Sequence, residues 1–269
     1  MKKNTLSYVF LKKSSLVLLS LCGAFFFQNC NAQINVGLDN YYNHETDSKT
    51  GKPFHYLWSD SAFSGYSRWG KIFTSRGAKI STLGRPDAAN LAKLGVYIIV
   101  DPDTTSENPS PNYIEPEDAN AIEAWVKNGG VLMILANDGP NCEFTHLNQL
   151  TARFGFTFNH VTLHPVTGKN YEMGASTNLP DHPIFKGVKK IYIKEVSSLK
   201  LWDKAKPIIT ENGQVLMTEV RIGKGLVVAI GDPWIYNEYI DHDKLPSDFE
   251  NRKAAENLTD YLLKNAKSK

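Results

Sequence analysis

Two unbroken apolar runs, Val96–Val100 and Val131–Ala136, constrain this chain more than any other feature. A strand with one face in water alternates apolar and polar residues. An unbroken run has both faces buried, which places it inside a parallel sheet covered by helices. Leu226–Ile230 is a third such run. Between the first two, Glu115–Lys127 reads as a helix with Pro116 near its start and Asn128-Gly129-Gly130 as its stop. Strands are also expected at Ile34–Leu38 and Lys79–Leu83, and helices at Ser64–Ser75, Asp87–Leu94 and Glu143–Phe154. This alternation predicts an α/β fold with a doubly wound, mainly parallel sheet. The stretch from Thr157 to Val220 has another rhythm. Val188–Ile193, Lys206–Thr210 and Gln214–Ile222 read as extra strands towards the C-terminus, with Gly223-Lys224 as a hairpin turn. A last helix, about Glu250 to Lys264, carries Ala254, Ala255, Leu258, Tyr261 and Leu262 at helical spacing.

Residues 1–32 read as a signal peptide and residues 33–269 as one α/β domain. Lys2, Lys3, Lys12 and Lys13 precede an apolar run from Leu16 to Phe27, too short to span a bilayer as a stable helix. Cleavage after Ala32 leaves an exported, periplasmic chain that starts at Gln33. The alternative is a lipid anchor on Cys30, but Phe27-Gln28-Asn29 is a poor match to the small residues that precede a lipidated cysteine. No further membrane span is expected. Losing four lysines and no acids takes the formal charge from +2 to about −2. With no basic block, nucleic-acid binding has no electrostatic support. Only Cys142 then remains, so neither a disulfide framework nor a CxxC metal knuckle is available.

The predicted strands end in polar residues: Asp39-Asn40, Asp101 and Asp103, Asn137-Asp138, and Asp232. Ligands of open parallel sheets bind outside the carboxyl ends of the strands. Taken singly, each of these residues is accounted for as a helix cap. Four exits with aromatic neighbours point to a ligand crevice. The richest is Gly231–Asp241, where Asp232-Pro233 stops the strand and Trp234, Tyr236, Asn237 and Tyr239 follow. Aromatic faces beside Asp, Glu and Asn suit a sugar, with its C–H faces and hydroxyl edges.

Three segments, WVKNGGVLMILAND at Trp125–Asp138, DHPIFKGV at Asp181–Val188 and GKGLVVAIGDPWIYNEYID at Gly223–Asp241, together carry a resemblance. The first two resemble class I glutamine amidotransferase-like domains, whose fold is flavodoxin-like. The third, extended by Leu245-Pro246 and Phe249-Glu250-Asn251, is similar to a domain appended to unsaturated rhamnogalacturonyl and related uronyl hydrolases of polysaccharide-degrading bacteria. The runs at Tyr97–Thr104 and Asn141–Leu150 fit the same domain. The resemblance spans nearly all of residues 33–269, and the α-helical toroid of the hydrolases is missing from it. One departure matters: the strand that delivers the amidotransferase cysteine here exits into Ala136-Asn137-Asp138-Gly139. Cys142 comes later, one turn from His146, and a lone cysteine there is more often a small buried side chain than a nucleophile. Glutaminase chemistry is not expected.

The resemblance implies uronate oligosaccharides as ligands and a system of lyases and unsaturated uronyl hydrolases as partners. Those hydrolases need a 4,5-unsaturated uronate at the non-reducing end. A dehydratase acting on a saturated terminal uronate of ulvan- or pectin-type fragments would supply it. Such a reaction needs the sugar carboxylate neutralised, a base for the C5 proton and an acid for the departing 4-hydroxyl. Candidate catalytic residues are His44, His55, His146 and Tyr236. Candidate substrate-binding residues are Tyr41, Tyr42, Asn43, Asn141, Trp234, Asn237, Tyr239 and Arg252. The bland counterpart is that His44 and His55 are polar loop residues and that His146 packs on its helix. Asp101, Asp103, Asp138, Asp232, Glu238 and Asp241 are possible oxygen ligands for Ca²⁺, but no EF-hand or HExxH pattern specifies a metal, and no cofactor or metal is assigned. The alternative function is a non-catalytic carbohydrate-binding module. A serine or cysteine hydrolase is the weakest reading, because no GxSxG elbow is present.

Overall fold

In the computed structural model, which describes Met1, residues 33–47 and residues 49–267, the unbroken apolar runs are the central strands of a nine-stranded sheet. The expected signal peptide and Cys30 lie outside the described residues, apart from Met1. In chain order the first half comprises β1 (Asn35–Asp39), α1 (Ser67–Ser75), β2 (Lys79–Leu83), α2 (Ala88–Leu91), β3 (Val96–Val100), α3 (Pro116–Lys127), β4 (Val131–Leu135) and α4 (Phe144–Thr151). The second half comprises β5 (Phe156–Phe158), β6 (Ala175–Ser176), β7 (Ile191–Tyr192), β8 (Leu199–Leu201), β9 (Lys206–Glu211), β10 (Gln214–Ile222), β11 (Gly225–Ile230), α5 (Asn237–Ile240) and α6 (Asn251–Asn265).

Five strands run parallel in the order β2-β1-β3-β4-β11. Numbered among themselves they read 2-1-3-4-5, the flavodoxin-like order, with its topological switch point between β1 and β3. Antiparallel β10, then β8 and β5, extend the sheet past β11, and β9 also pairs with β10. These are the extra C-terminal strands, so the expected fold class is the observed one.

The apolar runs divide their side chains between two cores because successive strand residues point to opposite faces. Val96, Ile98 and Val100 face one side with Val131, Met133 and Leu135, under α1 and α6 through Trp69, Phe73, Ala254 and Leu258. Tyr97, Ile99, Leu132 and Ile134 face the other, under α3 and α4 through Ile122, Trp125, Leu147 and Leu150. Each such side chain removed from water contributes about 1.5–3 kcal/mol. Helix α3 follows its sequence signals: Pro116 opens it, the Asp118 carboxylate accepts the Glu115 N–H, and Gly129 sits at φ 107° just past its end.

Several expected elements differ in extent. The helix expected from Ser64 begins at Ser67, because Asn237 engages the Arg68 N–H and the loop before it. The one expected over Asp87–Leu94 shortens to α2, capped by the Asp87 carboxylate on the Asn90 N–H. Of Val188–Ile193 only β7 forms, and it pairs with β6 outside the main sheet. Short β5, β6, β8 and α5 were not anticipated. Among the described residues no helix is long and apolar enough to cross a membrane.

Leu258 is fully buried on α6. Leu258→Ala is expected to cost about 2–5 kcal/mol, read as a lower urea midpoint at unchanged slope. An unchanged midpoint would contradict the packing of α6 on the sheet.

Candidate active site

With both faces of β3, β4 and β11 dry, their carboxyl ends are where polar groups emerge. Asp101 follows β3, Asn137 follows β4, and Asp232 follows β11. All three line one cavity of about 300 Å³. The cavity is closed by Glu45, His55 and Tyr56 from the loop after β1, by Glu107 and Asn141, and by Lys194, Glu195 and Tyr236. Gly231 lets the chain carrying Ser197 come close: a Cβ there would overlap the Ser197 carbonyl, and the Ser197 N–H donates to the Gly231 carbonyl at 2.9 Å.

Asp101 is the centre of this arrangement. Its backbone sits at φ 39°, a left-handed conformation that costs a non-glycine residue about 1–3 kcal/mol. Two contacts hold it there. Its N–H donates to the Leu135 carbonyl at 2.8 Å, and its carbonyl accepts the Asn43 side-chain amide at 2.7 Å. Asn43 is therefore a buried support for Asp101. The Asp101 Oδ2 accepts the Tyr56 hydroxyl at 2.7 Å and the Asn137 amide at 2.9 Å, while Oδ1 is buried without a partner. The Tyr56 and Tyr236 hydroxyls are 3.4 Å apart.

Burial sets the protonation of the site. It pushes the Asp101 carboxyl well above the usual carboxylate range, reinforced by the Glu107 charge and opposed by the bonds from Tyr56 and Asn137. Burial raises Asp232 to about 8, although the Lys194 N–H donates to it at 2.9 Å. Glu45 rises to about 7 through burial and the charges of Glu107 and Asp103. Burial thus favours the protonated O–H form of Asp101 and Asp232, a donor where a carboxylate would only accept. His55 moves the opposite way: burial lowers it, against the pull of Asp60, and leaves a neutral imidazole. Its backbone is also left-handed, at φ 60°, and Nδ1 is buried without a partner. The Lys194 ammonium pairs with Glu195 at 2.7 Å.

Of the candidates named from sequence, the structure brings His55, Tyr236 and Asn141 to this cavity. His44 is not among the residues that line it, and sits 2.9 Å from the Asn108 amide and 3.3 Å from Asp103. His146 stacks on Tyr113 at 4.5 Å and pairs with Glu143 at 3.2 Å. Tyr42 is fully buried in the core beneath α3 and α4, with Tyr41 packed against it. Trp234 is buried in the opposite core. Asn237 ties down the loop before α1, donating to the carbonyls of Asp60 and Ala62 at 3.0 and 2.8 Å. Arg252 pairs with Asp241 and Glu256 on the outer surface of α6. Tyr239 lines a neighbouring cavity. Cys142 is buried, and burial keeps its thiol protonated.

Asp39 and Asp138, two of the expected strand exits, serve their own loops. Asp39 accepts the Tyr97 hydroxyl at 2.7 Å and the N–H groups of Tyr42 and Asn43. Asp138 accepts Asn141 and Thr162, each at 2.6 Å. Glu45, Tyr56, Glu107, Lys194 and Glu195 were not singled out beforehand. Lys194-Glu195 had a usable signal, following the apolar Ile191-Tyr192-Ile193 as Asp101 follows β3. Glu45 and Glu107 had none, because loop geometry alone brings them in. Among the described residues no three His, Cys, Asp or Glu side chains converge as a metal-holding group.

No protein-family model matches the chain, and no curated protein matches its sequence. Solved structures do match in fold. The mmIFT52 N-terminal domain superposes with a TM-score of 0.64 at 13% identity, over 85% of this chain and 97% of that one. Cytoplasmic protein STM1381 from Salmonella typhimurium LT2 gives 0.56 at 14% identity, over 87% and 100%. Cytoplasmic protein STM3548 from Salmonella typhimurium gives 0.51 at 16%, over 87% and 99%. At these identities the likeness is one of fold alone.

Asp39, Glu45 and Asp232, at about 7, 7 and 8, hold protons that the unfolded chain releases near pH 4. Their contribution to stability is therefore complete below about pH 4 and is lost as pH rises towards 8, each with a slope on the order of 1 kcal/mol per pH unit. Urea midpoints should fall from pH 5 to pH 8, and Asp232→Asn should flatten that fall. A slope identical to the wild type would contradict a protonated Asp232.

Proposed function

We propose that this protein is an oligosaccharide-active lyase, a dehydratase that removes water from a non-reducing-terminal uronate to give a 4,5-unsaturated uronate. The observation that carries the reading is one strand-end cavity that brings together His55, whose pKa burial lowers, Asp101 and Asp232, whose pKa values burial raises, and the Lys194 ammonium. Elimination across C4–C5 needs all three. Lys194 would draw charge from the sugar carboxylate, and the Asp101 O–H would donate to it, so a cavity lined by carboxyl groups can receive an anion. His55 would take the C5 proton, and a neutral imidazole is the form that can accept it. Asp232 would give its proton to the departing 4-hydroxyl. The C4–O bond breaks, the C4–C5 double bond forms, water leaves, and the proton on His55 returns to Asp232 through solvent. Tyr56 and Tyr236 would pack and hydrogen-bond the sugar ring.

The sequence resemblance supports the substrate class and the setting. In this reading the chain is an exported, periplasmic component of an ulvan- or pectin-degrading system, and its product feeds an unsaturated uronyl hydrolase.

The test is incubation with saturated uronate-ended oligosaccharides, followed by mass and by ultraviolet absorbance of the conjugated product. Loss of one water with new absorbance is expected. His55→Ala should lower kcat by about 10²-fold or more, while His44→Ala and His146→Ala stay within a few-fold. Binding without conversion would overturn the reaction and leave a carbohydrate-binding module. Activity should also decline above about pH 8, where Asp232 ionises. A rate still climbing through pH 9 would remove Asp232 from the role of acid.

A further inference from the structure

A second cavity, of about 250 Å³, adjoins the first, and Lys194 lines both. The two differ in chemistry. Glu45, Asp101, Glu107, Glu195 and Asp232 line the first, with Lys194 as its one cation. The second is lined by Lys169, Lys194, Lys244, Tyr171, Tyr192 and Tyr239, with no carboxylate in its wall. Ammonium and phenol groups offer hydrogen-bond donors, and an ammonium offers nothing else. Lys244 and Lys194 each engage one carboxylate outside the wall, Glu238 at 2.5 Å and Glu195 at 2.7 Å, which leaves further donors on each. Among the described residues Lys169 has no ion-pair partner. Tyrosines of the two cavities pack on one another. Tyr236 of the first packs on Tyr239 of the second at 5.6 Å, and Tyr239 packs on Tyr192 at 4.8 Å. Short helix α5 places Tyr239 there, three residues after Tyr236.

We infer that the second cavity is a subsite for the next sugar of the chain, one carrying an anionic substituent, either an ester sulfate or a carboxylate. This inference rests on the uronate reading of the first cavity. The terminal uronate occupies the strand-end cavity, the glycosidic bond crosses beside Lys194, and the neighbouring ring lies against Tyr239 with its anion towards Lys169 and Lys244. Charge-assisted donors on a sulfate or carboxylate are roughly twice as strong as neutral ones. The subsite therefore selects oligosaccharides by the residue next to the one that reacts.

The test compares three disaccharides with the same saturated terminal uronate. Their second sugar carries an ester sulfate, a carboxylate or no charge. Each is titrated calorimetrically into the full chain carrying His55→Ala, so that substrate survives the measurement. At least one anionic arm should bind about tenfold more tightly than the neutral arm, and the stronger arm names the anion. Adding Lys169→Gln and Lys244→Gln should bring that ratio towards one, and so should raised salt. A ratio of one in both anionic arms, no binding in any arm, or a ratio untouched by the lysine changes would overturn the subsite. Water loss in the wild-type chain is read separately by mass. Preference without water loss keeps the subsite and overturns the dehydratase, and water loss without preference does the reverse.

Discussion

The central parallel strands β3, β4 and β11 are dry on both faces, and the rest of the molecule follows from that burial. Val96–Val100 and Val131–Leu135 are buried at every residue, between α1 and α6 on one side and α3 and α4 on the other. No polar side chain can be accommodated along such a strand without a partner. Polar chemistry is displaced to the strand ends, where Asp101, Asn137 and Asp232 emerge next to one another because their strands are in register. Parallel pairing of β3 with β4 and β4 with β11 is thus also what builds the site.

Burial then decides what those groups are. A carboxyl group in water is an anion at neutral pH and repels a uronate. The same group enclosed by Tyr56, Tyr236 and the β-strand ends is pushed towards its protonated form. Desolvation is opposed at Asp101 by two hydrogen bonds and at Asp232 by a backbone N–H, and burial outweighs them in both. The same physics neutralises His55 from the other direction. One dry environment therefore shifts the two carboxyls up and the imidazole down, in opposite directions from one cause. Asp101 is held in a strained conformation by Asn43, a device suited to a preorganised site.

The outer cavity has the opposite character, lysines and phenols in place of carboxyls. The two meet at Lys194, whose N–H holds Asp232, whose ammonium pairs with Glu195, and which lines both cavities. Small shifts of the Ile191–Glu195 segment would alter both.

Much of this was legible in the amino-acid sequence, and the limits have physical causes. The central strands, α3, β10, β11 and α6 were readable because long apolar periodicity and capping residues are local signals. Short β5, β6, β8 and α5 were not, since two to four residues carry too little pattern and form only because a neighbouring strand or loop is present. The polar strand exits were visible one by one. Which of them share a cavity was not. Asp101, Asn137 and Asp232 do, while Asp39 and Asp138 are consumed by their own loops. Among the histidines, nothing in residue type separates His55 from His44 and His146, and only the fold brings one to the cavity and stacks another on Tyr113. Trp234 and Asn237 looked like sugar contacts because their neighbours are aromatic, yet one fills a core and the other ties a loop. The sequence by itself determined the sheet, its parallel order and the edge where chemistry collects, because hydrophobic burial is written along the chain. Tertiary structure alone decided the members of the site and their protonation, because side chains from residue 45 to residue 236 meet, and lose water, only when the chain is folded.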